Sequence, residues 1–249
     1  MDTKRLRIFA GPNGSGKSTI YRNLITKGDV NFGIFVNADE IEKLLVTSGR
    51  LDFANYGLSL DLDSFVSAYK NSTFYELSVG SKIEKSLSID YDCLLVNDKA
   101  LVNSYFTAFV ADFIRVAMLE CINVFTVETV MSHPSKLEYI KLAKSKGYRV
   151  YLYFVSTRDA QINISRVAQR VNTGGHCVPI PKIESRYTKS LENLYAAVSL
   201  SSRAYLFDNS ERDKPMWYAE YDGEQLSLHY ATVPSWINDY LIKPILDVK

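Results

Sequence analysis

The sequence predicts an α/β domain built on a doubly wound, mostly parallel five-stranded sheet, and three observations carry that prediction. Short apolar runs alternate with stretches of helical periodicity, an order that implies parallel strands joined by crossover helices. A glycine-rich turn, "GPNGSGKST" at 11 to 19, separates the first apolar run from the first helical stretch. The 249 residues are 47% hydrophobic, the composition of a packed globule with one large domain or two small ones.

Five runs read as strands: "LRIFA", "GIFVNA", "NVFTVE", "YRVYLYFVS" and "RAYLFDN". Apolar residues three and four apart mark helices at 17 to 27, 38 to 46, 135 to 146, 158 to 170 and 181 to 199. Residues 49 to 122 are too many for one crossover and close on "KALVNSYFTAFVADFIRVAMLECI", which reads as a long, largely buried helix. The segment is therefore expected to be an enlarged helical insertion. From 211 onward, "MWYAEYDG" and "EQLSLHYA" suit an antiparallel hairpin across Asp222 and Gly223, with a last helix at 234 to 246. Internal repeats and Pro/Ser-rich linkers are absent, so one domain over 1 to 249 is the simplest organisation.

Charge and composition exclude several function classes. With 29 basic and 28 acidic residues the net charge is +1, so no global field draws the chain to nucleic acid or to an anionic membrane. No apolar run approaches the roughly 20 residues of a spanning helix. The start, "MDTKRLRIFAGPNG", has too short an apolar part for a secretion signal, and a cytoplasmic location is expected. Cys93, Cys121 and Cys177 lack disulfide or metal-ligand spacing and read as reduced thiols, with Cys121 expected to be buried.

The turn itself has a chemistry. Gly11, Gly14, Gly16, Lys17 and Ser18 fit G-x-x-x-x-G-K-[ST], and Pro12, Asn13, Ser15 and Thr19 complete the loop. In such a loop glycines let backbone N–H groups curl around phosphate oxygens while the lysine reaches the terminal phosphates. A strand through Leu6, Ile8 and Phe9 precedes it, and a helix ended by Gly28 follows, so a polyphosphate would rest on the positive end of that helix.

In an open parallel sheet, ligands collect beyond the carboxyl ends of the strands, which singles out the polar residues found there. Asp39 follows "GIFVNA" and suits a general base for a hydroxyl attacking the terminal phosphate; equally, Asn37 to Glu40 reads as a helix N-cap with Asp39 in its first turn. Glu128 and Thr129 close the third strand, where an acid would orient a substrate hydroxyl or help hold magnesium, although solvated strand ends often carry Glu anyway. Arg166 and Arg170 stand four apart on one helix, just before Gly174 and Gly175. They read either as lid cations for a phosphoryl-transfer transition state or as surface charges of an amphipathic helix. A lid over 170 to 182, hinged at the glycine pair, would exclude water. His176 and Arg186 are weaker candidates for the same site.

These residues together resemble the zeta toxin family of UDP-N-acetylglucosamine kinases. The resemblance rests on "GPNGSGKST", "VNADEI", "TVETVMS", "GYRVYLYFVST", "RVAQRVNTGGHCVP" and "RAYLFDNS", in the family's order over the sheet core and lid. It implies a three-layer P-loop kinase-like fold, with Lys17 and Ser18 on ATP and Mg2+ and Asp39 as base toward a sugar hydroxyl. It further implies Glu128 and Thr129 on the substrate, Arg166 on the phosphates, and an antitoxin-like protein partner. The chain departs from the family in its long 49 to 122 segment and in the second lid arginine, for which Arg170 and Arg186 compete.

The leading functional expectation is thus an ATP-dependent small-molecule kinase with a hydroxyl acceptor, a UDP-sugar being one candidate. A nucleotide-dependent switch acting on a protein partner is the alternative of another class. Its guanine-reading pattern occurs as Thr26-Lys27-Gly28-Asp29, but it abuts the loop's own helix, and no D-x-x-G element accompanies it. A nucleoside or RNA-end kinase is a third reading, and for the RNA end the balanced charge argues against it.

Overall fold

A computed structural model describes residues 3–28, 30–172, 178–211 and 214–247. From the N-terminus, β1 (Arg5–Ala10) leads through the glycine loop into α1 (Lys17–Lys27), followed by β2 (Ile34–Val36) and α2 (Ala38–Ser48). Next come β3 (Arg50–Asp52), α3 (Leu62–Lys70), α4 (Phe74–Leu77), α5 (Gly80–Lys85), β4 (Leu87–Asp90), β5 (Cys93–Val96) and α6 (Ser104–Cys121). Then follow β6 (Val124–Thr129), α7 (Ser135–Ser145), β7 (Arg149–Ser156), α8 (Ala160–Asn172), α9 (Ile180–Glu192) and α10 (Leu194–Leu200). β8 (Arg203–Asp208), β9 (Met216–Tyr221) and β10 (Leu226–Leu228) precede short helical turns α11 (Ser235–Ile237) and α12 (Lys243–Asp247), joined by one π-helical stretch at Asn238–Ile242. These elements form two compact units, Met1–Gly33 with Val124–Lys249, and Ile34–Asn123.

The first unit holds six strands of a mostly parallel sheet in the order β10-β9-β8-β7-β1-β6, and β2, the seventh strand, opens the second unit. The expected count of five is corrected to seven. All five expected strands exist; the C-terminal hairpin adds two more by pairing β9 antiparallel to β8 and β10 antiparallel to β9. Strand alternation separates two faces. Leu6, Ile8, Phe125, Val127, Val150, Leu152, Phe154, Ala204 and Leu206 are all at most 1% exposed, and α7 and α10 bring Ile140, Ala143, Leu194, Ala197 and Val198 to the core of this unit. A second cluster gathers Phe9, Tyr153 and Val155 with Ile20 of α1 and Phe32. Arg7 interrupts the apolar run of β1 and is buried with its guanidinium 5.3 Å from the Phe32 ring and 5.5 Å from the Tyr151 ring. The helix expected over 181 to 199 divides at Asn193 into α9 and α10.

The second unit is only partly the helical insertion expected. Besides α3 to α6 it contains a three-stranded antiparallel sheet, β3-β5-β4, whose runs of three and four residues are too short to register as strands by periodicity. Phe53, Phe65, Tyr69, Phe106 and Phe109 form its core through tilted and edge-to-face ring contacts, such as Phe65 to Phe109 at 5.3 Å. The helix α6 is buried along Phe106, Phe109, Val110, Ile114 and Met118, as its composition predicts. Cys121 is not: it continues the spacing of Ile114 and Met118 but is the last residue of the helix and is exposed there, which corrects the expectation that it is buried.

Candidate active site

β1 ends at Ala10, in register with Thr129 of β6 on one side and Phe154 of β7 on the other, so three strands deliver their following loops to one edge of the sheet. The chain leaves that edge as the 11 to 19 loop, which then turns into α1. Gly16 precedes the helix in a left-handed conformation with no side-chain cap, and no acidic residue occupies the first turn. The positive end of the helix is therefore left to an anion.

Other parts of the unit hold the loop from outside. A Cβ at Gly14 (φ 75°) would lie 2.6 Å from the Asn163 carbonyl oxygen, and one at Gly16 (φ 95°) would lie 2.1 Å from Asn209 Nδ2. Glycine is thus required by the protein's own packing as well as by backbone conformation. Asn163 Nδ2 donates to the Asn13 carbonyl at 2.7 Å, and Asn209 Nδ2 donates to the Ser15 carbonyl at 2.8 Å. Ser15 Oγ is buried without a hydrogen-bond partner among the described residues. That orphaned hydroxyl inside an anion-ready loop fits a bound polyphosphate.

Lys17 is 6% exposed and its Nζ donates to the carbonyls of Gly11 and Pro12, each at 3.0 Å. Glu128 meets the loop from the end of β6: its Oε2 accepts from Ser18 Oγ at 2.8 Å, and its Oε1 lies 3.9 Å from Lys17 Nζ. A hydroxyl and a carboxylate joined in this way fit Mg2+, which takes few protein ligands and completes its shell with phosphate and water. No group of three or more His, Cys, Asp or Glu able to hold a metal ion exists among the described residues. Thr129 follows as the last residue of β6, opposite Ala10.

The arginines separate. Arg166 Nη1 donates to the Asn209 carbonyl at 2.7 Å and its Nη2 to the Ser210 carbonyl at 3.4 Å, which ties α8 to the exit of β8. Arg170 sits in the last turn of the same helix, half-buried. Arg186, from α9, reaches the loop and donates to Asn13 Oδ1 at 3.3 Å. The two helices pack through Ile164, Val167, Val171 and Ile183, together with Val178. His176 and the glycine pair Gly174 and Gly175 lie outside the described residues. Asp39 belongs to the second unit, where it is exposed in the first turn of α2 and its amide donates to Asn37 Oδ1 at 2.9 Å. The N-cap reading of Asn37 is therefore correct, and it leaves the Asp39 carboxylate uninvolved in that cap.

Along α9 and its C-cap, Arg186, Ser190 and Asn193 form one stripe, and the last two hold the turn after Thr129. Ser190 Oγ donates to the Val130 carbonyl and Asn193 Nδ2 to the Met131 carbonyl at 2.9 Å. Met131 has φ 59° and is buried, a strained conformation that these bonds help to fix. Behind the loop, Tyr187 Oη donates to the Thr157 carbonyl at 2.7 Å; burial, with Asp159 and Asp208 nearby, pushes this phenol up to about 12. A cleft of 330 Å³ lies beside the paired ends of β8 and β9, lined by Arg158, Ser210, Met216, Tyr218, Val233 and Pro234 among others.

Asn163 and Asn209 are the residues that sequence reasoning passes over. Asn209 was within reach of the same rule that selects Glu128, since it is the first residue beyond β8 at the carboxyl edge. Asn163 carries no such signal, because a buried asparagine inside a helix looks in sequence like any solvated position.

Residues 6–190 match a protein family described as an AAA domain. A 63-residue segment is 32% identical to an uncharacterized protein of Haemophilus influenzae, covering 25% of this chain and 45% of that protein. Among solved structures, the AvrRxo1-ORF1:ORF2 complex is similar over 92% of this chain and 62% of that one, with a TM-score of 0.59 and 17% identity. The same complex with ATP aligns over 91% of this chain and 61% of that one, at a TM-score of 0.54 and 18% identity. This chain thus spans less than two thirds of the length of each of these proteins, and the structural likeness concerns the fold.

Proposed function

Because the chain belongs to the AAA-domain family that its residues 6–190 match, we propose that it is an ATP-dependent kinase that transfers the terminal phosphate to a hydroxyl of a small acceptor. The observation that carries this reading is the meeting of Lys17, Ser18 and Glu128 at the mouth of a glycine loop with an uncapped helix behind it.

In this reading the loop from Gly11 to Thr19 holds the phosphates through those of its backbone N–H groups that face them and through Lys17 Nζ, and Lys17 leaves the Gly11 and Pro12 carbonyls to do so. Ser18 and Glu128 hold magnesium, and His176 and Thr129 serve the acceptor or its phosphate. The cleft at Tyr218, Val233 and Pro234 takes the flat, apolar part of the nucleotide. Bound ATP with Mg2+ supplies the phosphoryl group and neutralises part of its charge. Arg166, with Arg186 or Arg170, faces the charge that develops on the equatorial oxygens. Asp39 accepts the proton of the attacking hydroxyl. The zeta-toxin resemblance favours a UDP-N-acetyl sugar as acceptor. AvrRxo1-ORF1 is seen bound to AvrRxo1-ORF2, and this supports an antitoxin-like protein partner here.

An acceptor screen by mass spectrometry, over UDP-sugars, nucleosides and RNA ends, tests the reading. Lys17→Ala is expected to lose ATP binding, whereas Asp39→Asn keeps binding and loses transfer. Unchanged turnover in Asp39→Asn removes it as the base. If ATP is bound and a protein partner is captured but no acceptor is ever phosphorylated, the nucleotide-switch reading replaces this one.

A further inference from the structure

Asn209 ties the glycine loop to Arg166. Its N–H continues the sheet by donating to the Ser156 carbonyl at 2.8 Å, which fixes its backbone at the end of β8. From there its side chain and its carbonyl point to two different parts of the site. Nδ2 donates to the Ser15 carbonyl across 194 residues of sequence, in a buried contact. The Asn209 carbonyl accepts from Arg166 Nη1. Only the nitrogen of the amide can donate to a carbonyl, so the orientation of the side chain is set by its partner.

The bond to Ser15 has a consequence for the loop. In a planar trans peptide the C=O and the following N–H point to opposite sides. Holding the Ser15 oxygen outward, toward Asn209, aims the Gly16 N–H to the other side, into the concavity of the loop. A Cβ added at Gly16 would lie 2.1 Å from the same Asn209 amide, so a side chain there would push the amide off the Ser15 carbonyl. We propose that Asn209 is a positioning residue for nucleotide binding: its side-chain amide pre-sets the Ser15–Gly16 peptide to receive a phosphate oxygen, while its carbonyl holds Arg166 over the same site. The inference rests on the nucleotide-binding reading above and deepens it by assigning the loop's orientation to a residue outside the loop.

Pre-organisation of this kind acts on binding of the phosphates, whereas an arginine that meets only the transition state acts on turnover. Asn209→Asp keeps the shape and the Arg166 carbonyl but replaces the donor with an acceptor facing the Ser15 oxygen. The experiment measures equilibrium binding of a fluorescent ATP analogue to the full chain, with ADP release at saturating ATP and the melting temperature as companions. Asn209→Asp is expected to bind ATP about tenfold or more weakly, because a buried carbonyl loses its partner. Its release rate at saturating ATP stays within about threefold of wild type, since Arg166 keeps its anchor. Where Asn209→Asp does not fold, Asn209→Ser, too short to reach Ser15, replaces it with the same expectation. Wild-type affinity in a folded variant overturns the assignment, as does a release rate that collapses while affinity is unchanged. If the wild-type chain itself binds no ATP, or binds it equally well as Lys17→Ala, the nucleotide-binding reading fails instead, and the two failures are distinguishable.

Discussion

Glu128 and Ser18 are joined by a 2.8 Å hydrogen bond although 110 residues separate them, and that bond is where the glycine loop and the end of β6 become one site. The carboxylate is 12% exposed and lies 3.9 Å from Lys17 Nζ, so one charged oxygen faces the lysine and the other the hydroxyl. A pair so placed is suited to hold a divalent cation between them once phosphate draws the lysine away.

Glu128→Gln keeps a side chain of the same shape and removes the charge. ATP affinity without magnesium is expected to stay within a few-fold of wild type, while the gain in affinity on adding Mg2+ disappears and turnover falls about 100-fold or more. Titration of a fluorescent ATP analogue with and without Mg2+ checks this. Ser18→Ala is expected to give the same signature, and the double variant little further loss, because the two groups act as a unit. A full magnesium effect in Glu128→Gln would remove it from the metal site.

The two candidate second arginines are separated by where they point. Arg186 donates to Asn13 Oδ1 within the loop, whereas Arg170 ends α8. Arg186→Ala is expected to lower turnover about 100-fold, on the scale of removing one preorganised donor, and Arg170→Ala to lower it less than tenfold. Steady-state ADP release by the two variants, with the acceptor present, decides between them; the reverse order would make Arg170 the residue that faces the phosphates.

Gly14→Ala adds one methyl group at φ 75°, 2.6 Å from the Asn163 carbonyl oxygen. Backbone cannot give way cheaply, so the loop must shift. A loss of about 1–3 kcal/mol in stability is expected, with loss of ATP binding. Thermal unfolding and nucleotide titration together read both effects. Retained binding would show that the loop tolerates displacement from α8.

Much of this was legible in the sequence, for definite reasons. The five strands expected from apolar runs are all present, because strands buried on both faces lack alternation and appear as continuous runs such as "YLYFV". The loop and Glu128 are singled out in sequence because phosphate chemistry and the carboxyl-edge rule each fix a position along the chain, and the structure joins the two through Ser18. What was not legible depends on partners distant in sequence. The β9–β10 hairpin was foreseen, but its pairing onto β8 needs a register that no local pattern states. Arg7 looks like an interruption of β1, yet two aromatic rings, from Phe32 and Tyr151, accommodate it. Arg186 ranked behind Arg170 because helical spacing links 166 to 170, while the contact with Asn13 spans 173 residues.

Tyr187 connects pH to the loop. Its hydroxyl donates to the Thr157 carbonyl, the Thr157 hydroxyl donates to Asn163 Oδ1, and Asn163 Nδ2 holds the Asn13 carbonyl at 2.7 Å. Burial first, then the charges of Asp159 and Asp208, raise the Tyr187 phenol to about 12, and burial raises Tyr56 and Tyr153 to about 12 as well. A raised acid favours its neutral form in the folded state. The unfolded chain releases these protons near pH 10, whereas the folded chain holds them until about 12. The unfolded state therefore binds fewer protons across that window, and stability falls as pH rises through it; below about pH 10 the contribution is fully present. Melting temperature is expected to be flat with respect to these groups from neutral pH to about 9.5 and to fall steeply above it. In Tyr187→Phe the fall above pH 10 is expected to be shallower by about one proton's worth of slope, with ATP affinity at neutral pH reduced only a few-fold through loss of the Thr157 contact. Melting curves at half-unit pH steps, run on both proteins, test this, and identical alkaline slopes would show that Tyr187 titrates alike in the folded and unfolded chain.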